Sequence, residues 1–453
     1  MSCIDQSCDT MVALPGVTAG GQVVFAKNSD RPQDECQPLV MRPRAINGSG
    51  NTFQCQFVNV PQVGTTWRHV GSRPWWGMGY EHGFNEHQVV VGNEALPSKL
   101  RIAKEPKLIG MEILRLALEK GRSAAEAVDV ITGLVKVHGQ GKFENAAGVR
   151  TYDNIYLCAD QREAYVVECV GHEWAVKRVR AHGGGALQSP TAASGFASIS
   201  NIGMIGPDAD RVSEGAKILA TREALYEPGS GKGYSFADAF ADRENSESGR
   251  ARQCRSFALL GKAAGGIDAH TMMATLSDHS DGANPGEPWA EDLRGPVSLC
   301  VHRRTSENPG STAASLVADL CSDGSRLPVY WCGLYSPCMT LFYPVFIEGD
   351  LPQPLSVGGQ TQTADSPWWL FYRLTHDGLN AGPERRAEVR AAWRPLQSEL
   401  MGSAYEMARR GRDMIGGGRK DEAARMLTTY MAENVYRMLD VARGLLRVKT
   451  VAR

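Results

Sequence analysis

The chain opens on an alternating pattern. Cys8, Thr10, Val12 and Leu14 fall on one side and Asp9, Met11 and Ala13 on the other, until Pro15-Gly16 breaks the alternation, which predicts a strand. Gly20-Gly21 then marks a turn into a second strand over 22–27, followed by the polar stretch Asn28-Ser29-Asp30-Arg31-Pro32, read as a loop. The two strands make a hairpin. Further short strands are expected over 52–59, 87–92, 154–158, 164–170 and 173–179, the last two joined across Gly171-His172.

Between them the period changes. Residues 108–119 carry apolar positions at helical spacing, and Ser123-x-x-Glu126 is a capping box opening a second helix, whose stripe is Ala127, Val128, Ile131, Leu134 and Val135. Gly139 is its expected stop. Helices over 212–226, 236–242 and 253–263 are followed by strand-like stretches at 297–302 and 328–332. From about residue 366 the pattern stays helical, with long amphipathic segments at 387–415 and 420–447 joined by Gly416-Gly417-Gly418. No repeat and no low-complexity linker divides the remainder.

Composition narrows the function classes. With 49 Lys+Arg against 50 Asp+Glu the formal charge is −1, and basic residues are spread out apart from short runs such as Arg303-Arg304 and Arg409-Arg410, so there is no electrostatic footprint for nucleic acid. No apolar run reaches the ~18 to 20 residues of a membrane span, and MSCIDQSCDT lacks the basic and apolar regions of a secretory signal, so the cytoplasm is the expected compartment. The 11 cysteines show no CxxC pair and no CxxC…HxxxH spacing, and most read as reduced, buried, small apolar residues.

Several patterns are discounted. His82 and His87 do not have the HExxH spacing of a zinc site, and Gly229-Ser230-Gly231-Lys232-Gly233 lacks the flanking residues of a phosphate loop. Cys300 and His302 would share a strand face, but with no third orienting group in view they read as a buried strand with one polar end. Trp75-Trp76 and Trp368-Trp369 read as core and surface aromatics rather than a substrate wall. No metal and no organic cofactor is expected.

The hairpin carries the chemistry. In an antiparallel pair the start of the first strand lies beside the end of the second, which sets Cys8 next to Lys27. A thiol beside a cation has a lowered pKa and becomes a usable nucleophile. Taken alone, such a pair is more often structural.

Longer stretches shift that balance. CDTMVALPGVTAGGQVVFAKNSDRPQDE (8–35), FNEHQVVVGNEAL (84–96) and MEILRLALEKGRSAAEAVDVITGLVKVHGQGKFEN (111–145) resemble, in order, segments of the secernin-type peptidases, cysteine members of the N-terminal-nucleophile (Ntn) hydrolases. The likeness spans at least the first 200 residues and is weaker at 271–277 and 340–346. It implies an α+β fold, a four-layer αββα sandwich of two antiparallel sheets between helical layers, here with a C-terminal helical extension. The corresponding division is a propeptide at 1–7, a core at 8–365 and a helical region at 366–453.

The resemblance also implies roles. Cys8 matches the nucleophile, freed by self-cleavage at Ser7-Cys8, so that its own α-amine, with a reference pKa near 7.7 to 8.0, serves as base. Lys27 matches a basic residue beside the thiol, and Asp30 a carboxylate that orients the amine. Asn93 and Asn201 match asparagines lining the nucleophile, where an amide N–H aimed at an oxyanion is worth about 3 to 4 kcal/mol. Arg252 or Arg255 is the candidate for a further arginine that completes the site and contacts substrate.

The expected activity is hydrolysis of an amide bond in a dipeptide or compact N-acyl amide through a thioester. An acyltransferase using the same thioester, or a non-enzymatic binding protein that retains the fold, are the alternatives. The expected partner is the small substrate alone, with no nucleic acid and no membrane, and a homo-oligomer is open.

Overall fold

A computed structural model describes residues 8–100, 105–145, 148–180, 195–229, 231, 233–244, 246–279, 298–302 and 310–447. The expected propeptide with Cys3, Ser230 and Lys232 of the glycine loop, and the Arg303-Arg304 run lie outside these residues. The chain is a mixed α/β structure built on two large sheets, antiparallel throughout.

The six-stranded sheet has the order β16 (Phe196–Ile199), β1 (Asp9–Ala13), β2 (Val24–Pro32), β18 (Gly310–Asp319), β19 (Val329–Leu334) and β20 (Phe342–Val345). The eight-stranded sheet runs β17 (Arg211–Val212), β15 (Glu173–Arg178), β14 (Ala164–Val170), β13 (Asp153–Ala159), β10 (Val90–Leu96), β9 (His82–Asn85), β8 (His69–Ser72) and β3 (Leu39–Arg42). Three small pairs complete the strands: β4 (Ala45–Ile46) with β7 (Thr65–Thr66), β5 (Thr52–Gln54) with β6 (Asn59–Pro61), and β11 (Lys142–Asn145) with β12 (Gly148–Thr151).

The sheets meet where β1 contacts β10 and β13. Val12, Phe25, Val90, Ile155 and Leu157 belong to the common core there. The opposite face of the eight-stranded sheet packs on α1 (Gly110–Lys120) and α2 (Ala124–His138) through a second cluster that includes Val91, Tyr156 and Cys158. Ser123 caps α2, accepting from the Glu126 N–H at 3.1 Å, while the Glu126 carboxylate reaches the Arg122 N–H instead of closing the box on Ser123.

Helices α5 (Glu247–Ala263) and α6 (Ala269–Leu276) contact the six-stranded sheet, on β16 and on β2 with β18 respectively. The short α3 (Ala216–Arg222) and α4 (Phe236–Phe240) pack on each other. Helices α7 (Pro367–Ala381), α8 (Pro383–Gly416) and α9 (Lys420–Arg447) pack together and against β19 and β20. No helix among the described residues is long and apolar enough to cross a membrane.

Three expectations change. The stretch from Asn28 to Pro32, read as a loop, continues β2, because β18 runs beside it from Gly310 opposite Pro32 to Asp319 opposite Val24 and completes its backbone hydrogen bonds. The span 52–59 is a hairpin, turned at the Cys55 N–H to Val58 carbonyl bond, and not one strand. Residues 298–302 join no sheet. All cysteines among the described residues are free thiols, most of them buried.

Candidate active site

The hairpin register sets Thr10 opposite Lys27 and Asp9 opposite Asn28, so Cys8 at the head of β1 lies over the last residues of β2. There the Asp30 N–H donates to Cys8 Sγ at 3.4 Å. The Cys8 backbone nitrogen donates to Asn201 Oδ1 at 2.6 Å. Asn201 follows β16, which pairs with the other side of β1, and it adopts a left-handed φ of 56° that asparagine tolerates better than most residues.

Lys27 is fully buried and crosses between the sheets. Its ammonium donates to the Asn93 carbonyl at 2.6 Å, and Gly92 makes the passage possible, since a Cβ there would stand 2.6 Å from Lys27 Cδ and 3.1 Å from Thr10 Cγ2. Burial works against the Lys27 charge, but Cys8 and the nearby carboxylates Glu94, Glu81 and Asp30 outweigh it and raise the pKa. The Cys8 thiol is pushed up to about 12 by burial, and the Lys27 charge opposes that rise.

A second cation closes the other side. Arg252 on α5 donates to the Cys8 carbonyl at 2.8 Å and to Asn201 Oδ1 at 3.1 Å, and pairs with Asp9 at 2.8 Å. The helix can approach because residue 249 is glycine: a Cβ there would be 2.3 Å from the Ser200 carbonyl oxygen. Ser200 also donates to Asp9, at 2.6 Å. Arg255, one turn further on, points away to Asp278 at 2.6 Å. Of the two arginines only Arg252 joins the nucleophile, and its partners are main chain, Asn201 and Asp9.

Asp30 meets the thiol through its backbone. Its carboxyl accepts from Thr312 Oγ1 at 2.6 Å, where a bulge at Ala313 re-aims β18, and burial followed by the charge of Asp9 raises its pKa well above the usual range. Glu94 accepts from Thr10 Oγ1 and from the Asn201 N–H, both at 2.7 Å, and burial pushes it up to about 7 against the pull of Lys27. Asp9 Oδ2 and Asp30 Oδ2 have no hydrogen-bond partner among the described residues.

The asparagines are placed differently from each other. Asn201 presents its carbonyl, not its N–H, to the nucleophile's nitrogen, while its amide donates to the Ala95 carbonyl at 2.9 Å. Asn93 has its side chain on the far face of β10. Side chains alternate along a strand; Gly92 and Glu94 face β1 and β2, so Asn93 faces the helices, where its amide donates to Asn154 Oδ1 at 3.2 Å. Its contribution to the site is the carbonyl that receives Lys27.

Residues that the sequence reading passed over complete the picture. Glu94, Asp9 and Thr312 hold the named residues, and a buried group of Arg31 with Glu35 (2.7 Å) and Glu81 (3.5 Å) lies close enough for Glu81 to bear on Cys8. Trp76 donates to Glu35 at 2.9 Å, whereas Trp368 and Trp369 are interior residues donating to the Ala313 and Gly359 carbonyls. His82 is buried near Lys27 and His87 packs edge-on against Trp67, so the two are apart. Cys300 and His302, expected to lack a third partner, are joined by Cys338 and His279.

No family model matches the chain. Similar solved structures include penicillin V acylase from Agrobacterium tumefaciens, 14% identical over 75% of this chain and 86% of that one, with a TM-score of 0.41. A variant of conjugated bile acid hydrolase from Clostridium perfringens is 13% identical, covers 72% of this chain and 89% of its own, and has a TM-score of 0.37. The Caenorhabditis elegans ortholog of N-acylethanolamine-hydrolyzing acid amidase is 10% identical over 68% and 92%, with a TM-score of 0.31.

Proposed function

We propose that the protein is a cysteine amidohydrolase of the Ntn type, acting on a dipeptide or compact N-acyl amide after removal of residues 1–7, and that its packed sheets and helices form the αββα sandwich of that class. The observation that carries this reading is the Cys8 nitrogen. It is held at 2.6 Å by Asn201 Oδ1, with Arg252 fixing the adjoining carbonyl and with buried carboxyl oxygens of Asp9 and Asp30 nearby that have no hydrogen-bond partner among the described residues. That surrounding suits an amine better than a peptide N–H, because an amine can carry a positive charge that the carboxylates would stabilise.

While residue 7 remains attached, the buried thiol has no free amine beside it and its one reaction is self-cleavage: Sγ attacks the Ser7 carbonyl carbon, the acyl group passes from the Cys8 nitrogen to sulfur as that nitrogen takes the thiol proton, and water hydrolyses the thioester to release residues 1–7. Cleavage supplies the base within the same residue. The Cys8 amine takes the thiol proton, the thiolate attacks the amide carbonyl, and the tetrahedral intermediate collapses as the leaving amine receives that proton. Water then attacks the thioester, giving the carboxylic acid and restoring the thiol. Lys27 stabilises the thiolate and the charge developing beside it. Asn201 orients the amine instead of serving as the expected oxyanion donor, and Arg252 positions Cys8 rather than binding substrate.

Intact mass and turnover test this together. Wild-type protein should lack residues 1–7 and hydrolyse members of a panel of dipeptides and N-acyl amines. Cys8→Ala should keep the leader, apart from Met1, and lose at least about a thousandfold in rate. Cys3→Ala should behave as wild type. Turnover by the Cys8→Ala protein, or full activity with the leader still attached, would overturn the mechanism.

A further inference from the structure

We propose that His279, Cys300, His302 and Cys338 form a metal site that takes a single zinc-type divalent ion as a structural clamp. The four come from three places in the chain. His279 stands three residues past the end of α6, Cys300 and His302 lie on the stretch 298–302, and Cys338 sits in the 3-10 turn Pro337–Met339 between β19 and β20. Their ligand atoms all lie within 4.8 Å of one another.

The spacing fits a tetrahedral ion. With Zn–S near 2.3 Å and Zn–N near 2.05 Å, a tetrahedron has S···N edges of about 3.5 Å. His302 Nε2 is 3.5 Å from Cys300 Sγ and 3.3 Å from Cys338 Sγ. The remaining donor pairs lie within 4.8 Å and need to close by no more than about 1.5 Å, since the shortest edge of such a tetrahedron, N···N, is about 3.3 Å and the longest, S···S, about 3.8 Å. Ser336 Oγ lies 3.4 Å from His302 Nδ1, which is the outer contact that turns Nε2 inward.

The donor set selects the ion. Two thiols and two imidazoles with no carboxylate suit zinc and disfavour magnesium or calcium, and four protein ligands leave no open position for catalysis. Binding of M²⁺ forms two M–S and two M–N bonds, and the proton of each thiol that becomes a ligand passes to solvent. An open groove of about 550 Å³ lined by Cys338, Ser277, Met273 and Pro337 gives the ion a way in.

The clamp bears on the strand that carries the candidate site. The Val301 N–H donates to Thr312 Oγ1, and Thr312 Oγ1 donates to Asp30. Asn28, next to Lys27, donates to the carbonyls of Leu276 and Leu299, both at 2.8 Å. An ion tying 279, 300–302 and 338 together fixes the segments on which both of those bonds depend. Its removal loosens that edge of the site without touching the Cys8 sulfur.

Metal content of tag-free protein, dialysed against a chelating resin and measured by plasma mass spectrometry, tests the clamp. About one zinc per chain is expected, as is the thiolate-to-metal absorption of tetrahedral cobalt after exchange with Co²⁺. Cys8→Ala protein should hold the ion equally, which separates this outcome from the fate of the proposed mechanism. Cys338→Ser, at a half-buried position, should lose the ion and melt at a lower temperature while keeping its far-UV circular dichroism. Absence of metal and of a cobalt spectrum in protein with reduced thiols, a Cys300–Cys338 disulfide in freshly purified protein, or undiminished zinc in Cys338→Ser would each overturn the proposal.

Discussion

Cys8 and Cys300 are both interior thiols, and burial pushes each of them up, yet they stand in opposite electrical company. Around Cys8 the protein has gathered ionisable groups of both signs: Lys27 and Arg252 with Asp9, Asp30, Glu81 and Glu94. Around Cys300 the nearest ligand atoms are a second thiol and two imidazoles. The first sulfur has a resident cation to favour its thiolate, whereas the second needs one delivered. Burial alone therefore says little about what a cysteine does; the neighbours decide.

Helix α5 serves both regions, and this gives the sharpest contrast. Arg252 pairs inside with Asp9, and Arg255, three residues on, pairs with Asp278 next to His279 at a partly exposed site, the arginine side chain 28% accessible and the aspartate 10%. Arg252→Leu leaves Asp9 buried and uncompensated, and should cost about 3 to 5 kcal/mol in chemical denaturation. Arg255→Leu should cost about 1 kcal/mol or less. Equal losses would erase the distinction between the two environments.

A smaller effect is expected from Lys27→Met. It removes the charge that opposes the rise of the Cys8 pKa, so alkylation of Cys8 by iodoacetamide at pH 8 should slow by about tenfold or more. Peptide mapping would follow Cys300 in the same sample, and its rate should not move. If both cysteines slow together, the substitution has altered the packing and not the electrostatics.

The smallest effect concerns a carboxylate beneath the Asn201 loop. Glu168 accepts the Ile205 N–H at 2.9 Å and also the Met204 N–H, and burial lifts it to about 7 despite these bonds. Its folded pKa lies above the unfolded value of 4.5, so its contribution to stability is complete below 4.5 and is lost as pH rises through 7. Glu168→Gln should flatten the decline in melting temperature across that window relative to wild type. An unchanged slope would mean that Glu168 ionises normally in the fold.

Much of the nucleophile hairpin was legible beforehand, because its cues are local: alternation ended by Pro15-Gly16, and a turn at Gly20-Gly21. The register that followed set Lys27 beside β1. The strand β18 was not legible. Its run of Ser311, Thr312, Ala313, Ala314 and Ser315 is buried on both faces, so no period of two appears. Without β18 the stretch from Asn28 to Pro32 reads as a polar loop. Asn93 was placed beside the nucleophile by its neighbours in sequence, and the pleat of β10 turned it to the other side.

By itself the sequence determined the short-range features: the hairpin around Cys8, the capped helix after Ser123, the Gly171 turn and the helical tail, since each depends on residues a few positions apart. Tertiary structure alone decided which charges surround Cys8 and that His279, Cys300, His302 and Cys338 converge. Those arrangements join segments tens to hundreds of residues apart, and only the packing of sheets and helices fixes such distances.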